Sequence, residues 1–133
     1  MAFVLDASVA LAWFVRPQAT AYTDRVRRLA KREPLHVPAV WALEIANALA
    51  TLGRRGNLTE RAARTAADLL GSLAVTVHKD RLTIPEMFDL AERFGLSTYD
   101  ASYLDLAICL RLPLACRDGA LQRALVGAGV RPA

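Results

Sequence analysis

Short apolar runs separated by longer, helix-patterned segments predict an α/β protein built on a small, mostly parallel central sheet flanked by helices. The run Ala2-Phe3-Val4-Leu5 is too short for a helix and reads as a strand buried on both faces. Leu35-His36-Val37, Ala74-Val75-Thr76-Val77 and Leu114-Ala115-Cys116 repeat that type along the chain. Strands that alternate with helices in this way belong to parallel sheets. The chain has 133 residues and no linker, repeat or low-complexity stretch, so one domain spanning 1–133 is expected.

The elements follow in order. After the first strand, Val9 to Val15 form a short and nearly all-apolar helix, with Trp13 and Phe14 in the core. Pro17 is expected to open a second helix running to about Arg32, with its basic residues outward. Pro38 closes the second strand. The next helix runs from about Ala39 to Gly53, where Gly53-Arg54-Arg55-Gly56 stops it. Asn57 or Thr59 caps another, ending near Gly71. Past the third strand, Pro85 starts a helix to Gly95, and Ser97 caps one through Arg111. The fourth strand leads into a last helix from Asp118 to about Val126.

Composition narrows the function. Hydrophobic residues make up 54% and mean hydropathy is +0.24, an excess that implies apolar surface covered by a partner or a second copy. Charged residues such as Asp6, Arg16, Glu44 and Arg54 interrupt every long apolar stretch, which argues against a membrane span. No basic segment precedes the first apolar run, so no signal peptide is expected and a cytoplasmic location is. Net charge is +4, so the surface attracts polyanions. Basic clusters at Arg25–Arg32, at Arg54 with Arg55, and at Arg61 with Arg64 suit solvated helix faces or phosphate contact. Cys109 and Cys116 match no zinc spacing and read as buried free thiols. His36 and His78 stand apart from each other, with no Cys or second His nearby, and suggest neither a zinc site nor a Ser-His pair. Any catalysis rests on carboxylates.

Four acids draw attention. Asp6 ends the first strand, where parallel sheets place their chemistry, although it can equally cap the next helix. Glu44 is the only ionisable residue between Ala39 and Leu52, with Asn47 on the same helical face. Either that helix is buried and Glu44 needs a partner or a metal, or Glu44 lies on a thin polar stripe with Asn47 and Thr51. Asp100 follows Ser97 in a Ser-x-x-Asp capping pattern, yet stands in a first turn that can reach the sheet rim. Asp105 points about 140° away from Asp100 and belongs on the helix flank. Asp118 again follows a buried strand. Parallel topology gathers such ends at one edge. Carboxylates meeting there repel unless a divalent cation joins them, and oxygen-only ligands favour Mg²⁺ or Mn²⁺ over Zn²⁺.

Val4-Leu5-Asp6-Ala7-Ser8, Glu44 with Asn47, Tyr99-Asp100-Ala101-Ser102-Tyr103-Leu104 and the late Asp118 together resemble the PIN-domain ribonucleases, most closely the VapC-like toxins of toxin–antitoxin pairs. The resemblance covers essentially the whole chain. It implies a PIN-like fold, with Asp6, Glu44, Asp100 and Asp118 as metal-binding acids and Ser8 and Asn47 as supporting residues. It also implies Mg²⁺-dependent hydrolysis of RNA, a homodimer, and a small antitoxin protein bound over the groove. The family's last acid usually follows a Thr or Ser by two positions, whereas this chain has Cys116 there. That departure keeps a catalytically inactive RNA- or protein-binding module of the same fold in view. A phosphorelay receiver domain shares the layout of acids at strand ends. It needs paired acids after the first strand and a late Lys, whereas Asp6 stands single and the only lysines are Lys31 and Lys79.

Overall fold

The computed structural model describes residues 1–117 and 119–133, and the expected sheet is present. Strands β1 (Phe3–Leu5), β2 (Leu35–Pro38), β3 (Val75–His78) and β4 (Leu114–Ala115) stand in the order β3-β2-β1-β4, each adjacent pair parallel. The chain steps outward from β1 to β3 and then returns to set β4 on the other side of β1. The switch in direction therefore falls between β1 and β4. Crevices beyond the carboxyl ends of strands at such a switch are where open α/β sheets bind ligands. Val4 pairs with Leu114 and Leu5 with Ala115, and the Asp6 amide donates to the Ala115 carbonyl at 3.0 Å. Asp6 and Cys116 thus leave the sheet side by side. The chain end covers the outer side of β4, with Pro132 bridging Leu114 in parallel.

Seven helices are described: α1 (Ala7–Phe14), α2 (Ala21–Ala30), α3 (Val40–Arg54), α4 (Glu60–Gly71), α5 (Ile84–Phe94), α6 (Thr98–Leu110) and α7 (Ala120–Ala128). Helix α6 lies against β1, β2 and β4, and α1 packs against α2, α3 and α4. Gly95 ends α5 in the left-handed conformation, at φ 65°, that favours glycine.

Several expectations need correction. Pro17 lies in a short 3-10 turn, Arg16–Gln18, and α2 begins later because Thr20 and Thr23 form a reciprocal capping box. Helix α7 starts at Ala120 rather than at Asp118, which lies outside the described residues. Helix α3 buries only the stripe Trp41, Ile45 and Leu49, spaced four apart, and leaves Leu43 71% exposed. The middle of α6 is buried more completely, with no exposed surface at Ala101, Tyr103 and Leu104, while its two ends carry the exposed Tyr99 and Ile108. Cys116 is buried as expected, but Cys109 is exposed. The two histidines are not apart. Pro38 pairs with His78 across β2 and β3, which puts His36 and His78 on the same face with His36 Nδ1 and His78 Nε2 2.8 Å apart. Partial burial and the neighbouring His78 both lower the pKa of His36.

Candidate active site

The crevice at the β1–β4 switch is a cavity of about 570 Å³ whose lining includes Asp6, Ser8, Glu44, Asp100, Cys116 and Arg117. Each acid arrives on a different element. Asp6 caps α1, accepting from the Ser8 amide at 3.3 Å, and the Ser8 hydroxyl also donates to the same carboxylate oxygen. Capping and site placement coincide here, because the cap of α1 is also the residue at the carboxyl end of β1. Glu44 comes from the middle of α3, half-buried, with its Oε1 accepting from the Tyr103 hydroxyl at 2.7 Å. Asp100 comes from the first turn of α6. Ser97 caps that helix by accepting from the Asp100 amide at 3.1 Å, and no return bond from the Asp100 side chain completes the box. Its carboxylate is left for the cavity.

The electrostatics follow from burial and like charge. Asp6 is 9% exposed, and its pKa is raised to about 6. Burial is the main cause, Glu44 and Asp100 add to it, and the Ser8 hydrogen bonds oppose it. Glu44 is raised by burial and by Asp100, against the Tyr103 hydrogen bond, and Asp100 is raised by burial. Three carboxylates with raised pKa values around one cavity, Asp6 pushed up in part by both of the others and Glu44 by Asp100, would be relieved by a cation. Their donors are all oxygen, which suits a hard ion. Among the described residues no three His, Cys, Asp or Glu side chains stand close enough to hold one ion directly. Mg²⁺ is commonly held by one or two carboxylates and keeps several waters, so Asp6 with either facing acid fits it.

The other sequence candidates divide. Ser8 lines the cavity and orients Asp6. Asn47 lines a neighbouring hollow with Leu43 and Tyr99, which meets the acid cavity only through Glu44 and Ala48. Asp105 belongs elsewhere, accepting from Arg81 at 2.6 Å. Two residues of the cavity region escape a sequence reading. Arg117 is hidden because a lone Arg after a strand looks like surface. Tyr103 is hidden because an aromatic in an apolar helix looks like core, although its spacing of three from Asp100 sets both on one face.

An α/β sheet with acids converging beyond β1 at the switch point is the arrangement of a PIN domain, and the PIN domain family model matches residues 3–125. The chain belongs to the PIN-domain family. Its relatives place it on the VapC-like branch. It is 36% identical over 115 residues to "Ribonuclease VapC9" of Mycobacterium tuberculosis, covering 86% of this chain and 84% of that one. It is 32% identical over 109 residues to "Ribonuclease VapC3" of Pyrobaculum aerophilum, covering 80% and 82%. Among solved structures, PAE2754 from Pyrobaculum aerophilum superposes with a TM-score of 0.67 at 26% identity, over 97% of this chain and 90% of that one.

Proposed function

We propose that this chain is a Mg²⁺-dependent endoribonuclease acting as the toxin of a toxin–antitoxin pair. The observation that carries the reading is the buried Asp6 carboxylate, raised to about 6 with Glu44 and Asp100 contributing, in the crevice beyond β1 and β4. The relatives, ribonucleases of the VapC type, support the same reaction. Asp6 with Glu44 or Asp100 would hold Mg²⁺ or Mn²⁺, with Asp118 joining them by family resemblance. The ion would supply Lewis acidity to the scissile phosphate and a lowered pKa to an attacking water. Ser8 fixes the Asp6 carboxylate through its hydroxyl and amide. Arg117, at the cavity wall, offers the phosphate a fork of donors and offsets the repulsion between RNA and acids.

Partners follow from exposed apolar surface. Leu43 and Tyr99 are 71% and 58% exposed beside Glu44, and Ile84 and Phe88 on α5 are 87% and 60% exposed. Such patches suit a second copy of the chain and an antitoxin. No helix among the described residues is long and apolar enough to cross a membrane, and cytoplasmic action is part of this proposal.

The test is cleavage of single-stranded RNA. Mg²⁺ or Mn²⁺ is expected to switch cleavage on, EDTA to abolish it, and the same ions to raise the melting temperature saturably. Full activity in EDTA contradicts the mechanism. RNA that is bound but never cut, with either ion present, favours the inactive binding module that Cys116 keeps in view.

A further inference from the structure

Tyr103 stands one turn beyond Asp100 on α6 and has no exposed surface. Its ring belongs to the core. Its hydroxyl does something that core packing does not require, donating to Glu44 Oε1 at 2.7 Å across 59 positions of sequence. The same hydroxyl is approached by the Ala7 backbone amide and feels the Asp6 charge. One phenol therefore meets the first turn of α1 and the middle of α3 while riding on α6, and these three elements carry or adjoin Asp6, Glu44 and Asp100. Phenylalanine would fill the same space without a buried hydroxyl that must find partners. Glu44, by contrast, projects from a half-exposed helix on a side chain with several free torsions. It gains a defined position from a donor anchored in the core.

We infer that Tyr103 is a positioning residue of the acid site: its hydroxyl holds one oxygen of Glu44 and leaves the other for a divalent cation shared with Asp6. This rests on the reading of Asp6, Glu44 and Asp100 as a metal site. Partners that orient metal-ligating side chains typically change metal affinity or activity by about 10–100-fold when removed.

Mn²⁺ binding, followed by electron paramagnetic resonance of the free ion, tests this without reference to turnover. The proteins compared are the wild type, Tyr103→Phe, Glu44→Gln and the double variant, each also melted in denaturant without metal. Tyr103→Phe keeps the ring and its packing, so the fold is retained. Mn²⁺ affinity is expected to fall about 10-fold or more in Tyr103→Phe. In the Glu44→Gln background the same change is expected to have no further effect. Unchanged affinity in Tyr103→Phe, or an equal loss in both backgrounds, overturns the role of Tyr103 and leaves the acid site standing. A wild type that binds no Mn²⁺ removes the acid site and this role with it.

Discussion

Asp6→Asn is expected to stabilise the metal-free protein at neutral pH while reducing RNA cleavage by more than ~100-fold. The folded-state pKa of Asp6 is about 6, against an ordinary value of 3.8. Between those values the native state keeps a proton that the unfolded chain has released. Stability must therefore fall as pH rises from about 4 to about 6, and the full penalty is present above that window. At ~1.4 kcal/mol per pKa unit the penalty is about 1–3 kcal/mol. Asparagine carries no charge and can still accept from the Ser8 amide, so the cap of α1 survives. Denaturant melts of both metal-free proteins from pH 4 to pH 8 check the sign: a falling profile for wild type and a flatter, higher one for the variant. Cleavage is expected to fail because the cation loses its most buried anionic ligand, and loss of even an orienting partner costs up to ~100-fold. Excess Mg²⁺ narrows the stability gap, since binding to the native state alone returns ~2.7 kcal/mol at a hundred times Kd.

The largest loss of stability is expected at Leu104, beside Tyr103 on α6. Leu104 has no exposed surface, and α6 lies against three of the four strands. Leu104→Ala removes transfer energy and leaves a cavity, at a cost of ~2–5 kcal/mol. That is a large fraction of the ~5–15 kcal/mol holding a domain of this kind together. A drop of ~10–20 °C in Tm follows. Val126→Ala is the matched control. At 89% exposure it is expected to change stability by no more than ~0.5 kcal/mol. Thermal melts of the two variants distinguish the core face of α6 from an exposed position on α7.

What the sequence reveals and what it hides differ in physical kind. Local signals were legible. The apolar run of β1 and its terminal Asp6, the Thr59 and Ser97 caps, the Pro85 start and the glycine end of α5 depend on residues within a few positions of one another. The gathering of Asp6, Glu44 and Asp100 was legible in part: parallel topology places Asp6 at the edge beyond β1, whereas Glu44 from mid-α3 and Asp100 from the first turn of α6 were brought to it by the resemblance. Features that depend on how elements meet were not. The His36–His78 contact requires the β2–β3 register, in which Pro38 rather than His36 faces His78, and no pattern in either strand states that offset. The exposure of Leu43 and the burial of the middle of α6 reflect which helix lies on the sheet, not which is more apolar. The late start of α2 is a different failure. Thr20 and Thr23 form a capping box of an unusual pair, and the proline before them gave the more familiar start signal.

RNA cleavage by Asp100→Asn tests the central claim most directly, because the Asp6 carboxylate also caps α1, whereas the start of α6 uses only the backbone amide of Asp100 and not its carboxylate. Ser97 already caps α6 through the Asp100 amide, so the substitution leaves that bond in place. With Mg²⁺ present, the account predicts no product over times in which wild type digests single-stranded RNA, from a variant whose metal-free fold melts no lower than wild type. An Asp100→Asn protein that cleaves at the wild-type rate would contradict it.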